Sequence, residues 1–280
     1  MSILLLIWNA SAFAQQAAAN SGGCGEVITI ETHNKTTTRY ALKLGEDAGK
    51  HAERIALVLL VGGGGHLDLD EQGCPRALRG NSLVRSLPLF QGAGFATALI
   101  DAPSNHSGDD GLAGFRTAQA HAGDLGKIIA DVRRRTQSQV WVAGTSRGAI
   151  SAVNAASRLT GDSAPAGIVL TSALMSGQAG AKKSWVSQTV FDLPLESIKV
   201  PVLVVGHAAD TCVRSPPDFM EKITARTSGI REQVVTVTGG PGSAGPPGIA
   251  VCEGRTPHGF VEQEAEVAAG IARFIRGGAY

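Results

Sequence analysis

A chain of 280 residues has room for one large α/β domain or two small ones, and this one carries a net charge of only +1 with 18% charged residues. That even balance argues against nucleic acid or an anionic membrane surface as the main partner, because either would need a concentrated basic face. The 36 glycines suit a fold with many tight turns, and no repeat or linker-like tract divides the chain.

Residues 2–14 form a short apolar run that ends in Ala12-Phe13-Ala14 before Gln15, a small-x-small cleavage pattern. The run is too short to span a bilayer. Residues 1–20 are therefore expected to be a secretory signal peptide, and 21–280 a single domain, secreted or periplasmic. The four cysteines agree with an oxidising compartment, since their number is even and no C-x-x-C occurs. Without paired close spacings a zinc site is not expected.

Residues 26–32 alternate apolar and polar, 36–44 do so more loosely, and His33-Asn34-Lys35 joins them, which predicts an antiparallel hairpin on one edge of a sheet. The continuous apolar run 55–61 reads as a strand buried on both faces and empties into Gly62-Gly63-Gly64-Gly65-His66. A strand over 95–100 precedes a helix over about 113–135, with Leu125, Ile128, Ile129 and Val132 at helical spacing. Short strands follow at 140–143, 167–170, 200–205 and 234–237, and a last helix is predicted over 261–275. Segment 173–199 has no regular period. Strands alternating with helices imply a mostly parallel central sheet flanked by helices, an α/β fold entered through the hairpin.

The run 140–143 leads into Gly144-Thr145-Ser146-Arg147-Gly148 and then a small-residue helix. G-x-S-x-G between strand and helix is the setting of a nucleophile elbow, where side chains two residues to either side of the serine would collide. A serine hydroxyl needs a base that is itself oriented by a carboxylate. Asp210 follows the strand 200–205, and His258 lies in the loop beyond the strand 234–237. His207 lies too near Asp210 to serve as the base, and His66 sits beside the glycine loop. With Ser146, Asp210 and His258 in that order, nearly the whole mature chain resembles an α/β-hydrolase fold serine hydrolase, esterase-like and lidless.

The resemblance implies an acyl-Ser146 intermediate, with His258 as base and Asp210 as its orienting acid. It also implies oxyanion donors from the residue after the nucleophile, Arg147, and from the glycine loop, where Gly63, Gly64 and Gly65 stay open. A phosphate-binding role for that loop is disfavoured, because no G-K-[ST] follows. The expected partner is a small-molecule ester or thioester, with no cofactor or metal, no nucleic acid and no membrane insertion after signal removal. An exo- or dipeptidase with the same triad and a non-catalytic binding protein are the alternatives. Cys212 is two residues past Asp210 and Cys252 six before His258, so a disulfide between them is predicted to tie the two loops, which leaves Cys24 and Cys74 to pair. Segment 173–199, where lipid-acting relatives insert a lid, lacks an amphipathic helix. Met175, Trp185, Val186, Val190 and Phe191 are its available apolar wall.

Overall fold

A computed structural model describes residues 23–46, 54–178, 180–241 and 245–280. The stretch read as a signal peptide lies outside them. Eight strands form one sheet in the order β1-β2-β4-β3-β5-β6-β7-β8. Strands β1 (Glu26–Glu31) and β2 (Thr37–Lys43) form the edge hairpin, and β2 runs antiparallel to β4 (Ala96–Ile100). The remaining pairings are parallel: β4 with β3 (Ile55–Leu60), then β5 (Gln139–Thr145), β6 (Gly167–Thr171), β7 (Val202–His207) and β8 (Glu232–Val237).

The apolar runs are continuous because the central strands feed two cores at once, alternate residues pointing to opposite faces. Ala56, Val58, Leu60, Val140, Val142, Val202 and Val204 pack on one face with Leu125, Ile129 and Val132 of α3 (Gln119–Thr136) and Ile150 and Val153 of α4 (Gly148–Arg158). Leu57, Leu59, Trp141, Ala143, Leu203 and Val205 face the other way, with Leu83 of α1 (Ser82–Arg85), Leu87 and Phe90 of α2 (Leu87–Gly92), and Val267, Ile271 and Phe274 of α6 (Glu264–Ile275). A further short helix, α5 (Glu221–Thr224), precedes β8. Among the described residues no helix is long and apolar enough to cross a membrane.

Two helix starts differ from the sequence reading. The helix expected from about 113 begins only at Gln119, after a 3-10 turn over Ala113–Thr117. Ala118 has extended backbone (φ −70°, ψ 144°) and so breaks the helix, and the side-chain amide of Asn154 of α4 secures the break by donating to the carbonyls of Arg116 (2.9 Å) and Ala118 (2.8 Å). The last helix begins at Glu264 rather than 261, since Phe260 and Glu262 both have positive φ and turn the chain first. Helices α1, α2 and α5 have no more than six residues each, too few to show a period in the sequence.

Candidate active site

Ser146 sits between the end of β5 and the start of α4 with φ of 53°, a left-handed conformation that costs a non-glycine residue about 1–3 kcal/mol unless its surroundings impose it. The surroundings do. A Cβ on Gly148 would strike the Leu60 carbonyl oxygen, and one on Gly144 would strike that of Gly148. The Ser146 N–H donates to the Thr171 carbonyl of β6 at 2.9 Å, which anchors the turn to the sheet.

Strand β7 delivers Asp210 through a tight turn. Asp210 Oδ1 accepts the Cys212 N–H (2.9 Å), and Oδ2 lies 2.9 Å from His258 Nδ1. His258 sits in a 3-10 turn, Pro257–Gly259, whose start is capped by the Thr256 hydroxyl. Its carbonyl accepts from Ser172 Oγ at 2.7 Å, so the loop after β8 is pinned to the end of β6. Both side chains are buried. A carboxylate only accepts, so the imidazole proton on Nδ1 faces Asp210 and Nε2 carries the lone pair. That Nε2 is buried and has no hydrogen-bond partner among the described residues. No hydrogen bond joins it to Ser146, yet both residues line one cleft of about 300 Å3.

Ser215 completes this group, and the sequence reading missed it. Its Oγ donates to Asp210 Oδ2 (3.0 Å) and lies 2.9 Å from His258 Nδ1, in a fully buried position. Nothing in the pattern of the loop 211–216 marks it, because the contact is made by the fold of that loop.

The glycine loop passes directly over the elbow. A Cβ on Gly62 would come within 3.0 Å of the Ser146 Cβ. Gly62 and Gly63 line the cleft. Gly65 turns away, its N–H donating to the Gly62 carbonyl (3.2 Å), and the Gly64 carbonyl accepts from Leu112 (2.8 Å). The N–H groups of Gly63 and Arg147 find no acceptor among the described residues. Asp101 pins the chain beyond the loop by accepting from the N–H groups of Leu67 (2.6 Å) and Leu69 (3.1 Å). His66 Nδ1 approaches the same carboxylate at 3.2 Å, a distance without hydrogen-bond alignment. His207, the other rival for the base, is buried with Nε2 on Gln263 Oε1 (2.6 Å).

Behind the loop lies Arg116, a buried guanidinium unsuspected from sequence. Its Nη2 donates to the carbonyls of Val61 and Gly63, each at 3.2 Å, and its Nη1 to Ser151 Oγ at 2.9 Å. Ser151 also meets His121 Nε2 at 2.8 Å. Burial pushes the Arg116 guanidinium down to about 9, and Arg147 adds to this. Burial, with the Arg116 charge next, pushes the His121 imidazole down to about 3. His121 therefore stays neutral in the fold, while the unfolded chain binds its proton below about 6.5, so folding stability is lost as pH falls from that value toward about 3. Between pH 7 and 5 this one group should remove about 2 kcal/mol. Urea unfolding at both pH values is expected to give a smaller pH difference in His121→Gln than in the parent; an equal difference would dismiss the assignment.

Segment 173–199 does not wall this cleft. Met175 and Val190 are buried in the core, Phe191 packs against it, and Trp185 lies under the Arg147 guanidinium, 4.0 Å from the ring centroid. None of these residues, nor Val186, lines the cleft, whose walls come instead from Leu78, Gly80, Asn81, Ser82, Cys252, Glu253 and Gly254. The segment folds as three 3-10 turns, Ser184–Ser187, Val190–Asp192 and Leu195–Ser197, with no lid helix among its described residues. Both disulfides are present, Cys212–Cys252 and Cys24–Cys74. Asp210, Cys212 and His258 stand close enough to share a cation, but the sulfur is in a disulfide and the other two bond each other.

The strand order, the tight turn at Ser146 after β5 and the loops that carry Asp210 and His258 after β7 and β8 have the architecture of an α/β-hydrolase fold. Solved structures agree. The chain is similar to a dienelactone hydrolase from Anabaena variabilis (TM-score 0.59, 15% identity, 91% of this chain and 99% of that one). It is also similar to a thermophilic esterase from the Planctomycetes species Thermogutta terrifontis (0.57, 17%, 90% and 92%) and to a cold-adapted esterase from an Arctic intertidal metagenomic library (0.57, 15%, 91% and 93%). Neither a protein-family model nor a curated protein matches the sequence. At such low identity the likeness establishes the fold, and the chemistry rests on the site.

Proposed function

We propose that this protein is a serine hydrolase that cleaves a carboxylic ester or thioester through an acyl-Ser146 intermediate. One observation carries the reading: a buried Asp210–His258 pair leaves Nε2 bare in the same cleft as a serine on a strained elbow. Ser146 Oγ attacks the acyl carbon while His258 Nε2 takes its proton, and Asp210 stabilises the imidazolium that forms. The oxyanion is met by backbone N–H groups, Arg147 on one side and the glycine loop on the other. Of the three glycines, Gly63 is the best placed, because it lines the cleft while the Gly65 N–H is already spent. His258 returns the proton to the leaving group, and water repeats the cycle to release the acid. The two disulfides and the apolar run at 2–14 support a secreted or periplasmic site of action.

The test is labelling with a serine-directed phosphonate probe, followed by a chain-length series of nitrophenyl esters. Labelling at Ser146 is expected. Turnover should be best for acyl chains of about two to six carbons, since a cleft of about 300 Å3 has Leu78 as its one large aliphatic wall residue. Rates should show no jump when an ester passes its solubility limit. Interfacial activation with long-chain preference would refute the open-site reading, and amide turnover without ester turnover would make the protein a peptidase. No labelling would remove the hydrolase assignment.

A further inference from the structure

Arg147 follows Ser146 directly; its guanidinium stands over Trp185, beyond the residues that line the cleft, and makes fewer hydrogen bonds than the other enclosed arginines beside it. Arg116 places both terminal nitrogens on Val61, Gly63 and Ser151 and leaves only Nε without a partner, and Arg214 donates to the carbonyls of Ser176 (2.5 Å) and Gln188 (3.4 Å). The Arg147 guanidinium, half-buried, donates to no acceptor and pairs with no carboxylate among the described residues, and its Nε is fully buried without a partner. It is not loose, for it is held over the Trp185 ring at 4.0 Å. The carboxylate in its neighbourhood, Asp110, is already engaged by Lys183 Nζ at 2.5 Å, and that ammonium in turn lies 5.9 Å from the same ring. Burial pushes the Arg147 guanidinium down to about 10, Arg214 adds to the shift, and Asp110 opposes it. Arg116 and Arg214, the enclosed cations closest in charge to it, carry no carboxylate partner of their own among the described residues.

A half-buried cation whose Nε is sealed from water without a partner is held at a cost, and its terminal nitrogens are free to pair with an incoming anion. A guanidinium stacked on an indole has lost its side-chain freedom in advance and presents a planar fork, the geometry that a carboxylate meets with two parallel hydrogen bonds. We propose that the ester substrate itself carries a carboxylate, and that Arg147, held by Trp185, is the group that docks it. The proposal rests on the ester-hydrolase reading above and narrows it to anionic esters. It assigns the Arg147 residue two duties: its backbone N–H for the oxyanion and its side chain for the substrate's permanent charge.

The experiment compares matched ester pairs that differ in one charge. Phenyl hexanoate against the monophenyl ester of adipic acid places the carboxylate on the acyl side, and methyl 4-acetoxybenzoate against 4-acetoxybenzoate places it on the leaving side. In one of the pairs kcat/KM is expected to favour the anionic member by about tenfold or more, mostly through KM. Arg147→Gln keeps the backbone N–H and should erase that ratio, whatever its rate on the neutral member. Arg147→Lys should restore only part of it, because an ammonium lacks the fork. Equal or better turnover of the neutral member in both pairs, or an unchanged ratio in Arg147→Gln, would overturn the proposal while leaving the esterase reading intact. If no ester in either pair is hydrolysed, that reading fails by itself. The subsite is then decided by titrating the Ser146→Ala protein with adipate against adipamide, followed by tryptophan fluorescence. Saturable quenching by adipate alone, lost in Ser146→Ala/Arg147→Gln, supports the site; no response to adipate at about 10 mM, a very weak affinity, rejects it.

Discussion

Ser146→Ala and His258→Ala are each expected to lower turnover by on the order of 10^4 or more with the fold retained, because in the proposed mechanism nucleophile and base act as one unit. Circular dichroism and urea unfolding check the fold, and initial ester rates check the loss. The double variant should be little worse than either single one, which separates a shared step from two independent contributions. Asp210→Asn should also be severe, since an amide presents a donor as readily as an acceptor and the imidazole can then turn its lone pair the wrong way. Ser215→Ala is the instructive contrast. Its hydroxyl sits on both Asp210 and His258 at 3.0 and 2.9 Å, and in the proposed mechanism it positions the pair without passing a proton. Its loss should reduce kcat by about tenfold, the effect of one missing buried hydrogen bond, and leave KM nearly unchanged. Near-normal rates in Asp210→Asn would remove Asp210 from the mechanism.

Removal of the Cys212–Cys252 bridge by a double serine substitution should cost about 3–4 kcal/mol in urea unfolding, on the chain-entropy account of a loop of 40 residues. Activity should fall further than global stability alone explains. Cys212 donates its N–H to Asp210, and Cys252 lines the cleft, so the bridge ties the acid's turn to the wall that faces His258. The Cys24–Cys74 bridge closes a longer loop, at a sequence separation of 50, but joins the chain before β1 to a part of the β3–α1 connection that does not itself line the cleft. Its removal should destabilise to a similar degree and spare kcat in the protein that remains folded. Equal effects of both removals on kcat would show that the Cys212–Cys252 bridge has no part in holding the site.

Much of this molecule is legible in the chain because the relevant forces are local. Strands β3, β5 and β7 are continuous apolar runs, since alternate residues must enter two cores, and their ends mark where loops can carry function. Gly144 and Gly148 are demanded by the turn itself, which makes the position of Ser146 readable from five residues. That Asp210 and His258 would meet was readable because each follows a strand in a sheet whose direction was already implied, and they lie 2.9 Å apart.

Other features appear only when distant segments meet. The walls of the cleft come from 78–82 and 252–254 rather than from 173–199, and neither wall has a period to read. Ser215 resembles any loop serine until the turn after β7 folds it against Asp210 and His258. Arg116 falls within a stretch that reads as an ordinary helix, and its place in the interior is fixed by the break at Ala118, by Asn154 donating to its carbonyl, and by the carbonyls of Val61 and Gly63 accepting its donors. Propensity, periodicity and close steric contact act over a few residues, and those determined the layers of the fold and the place of Ser146. Which polar groups end up partnered in the interior, and which guanidinium is left open beside Ser146, was decided by the tertiary structure, because hydrogen-bond satisfaction is settled between residues far apart in the chain.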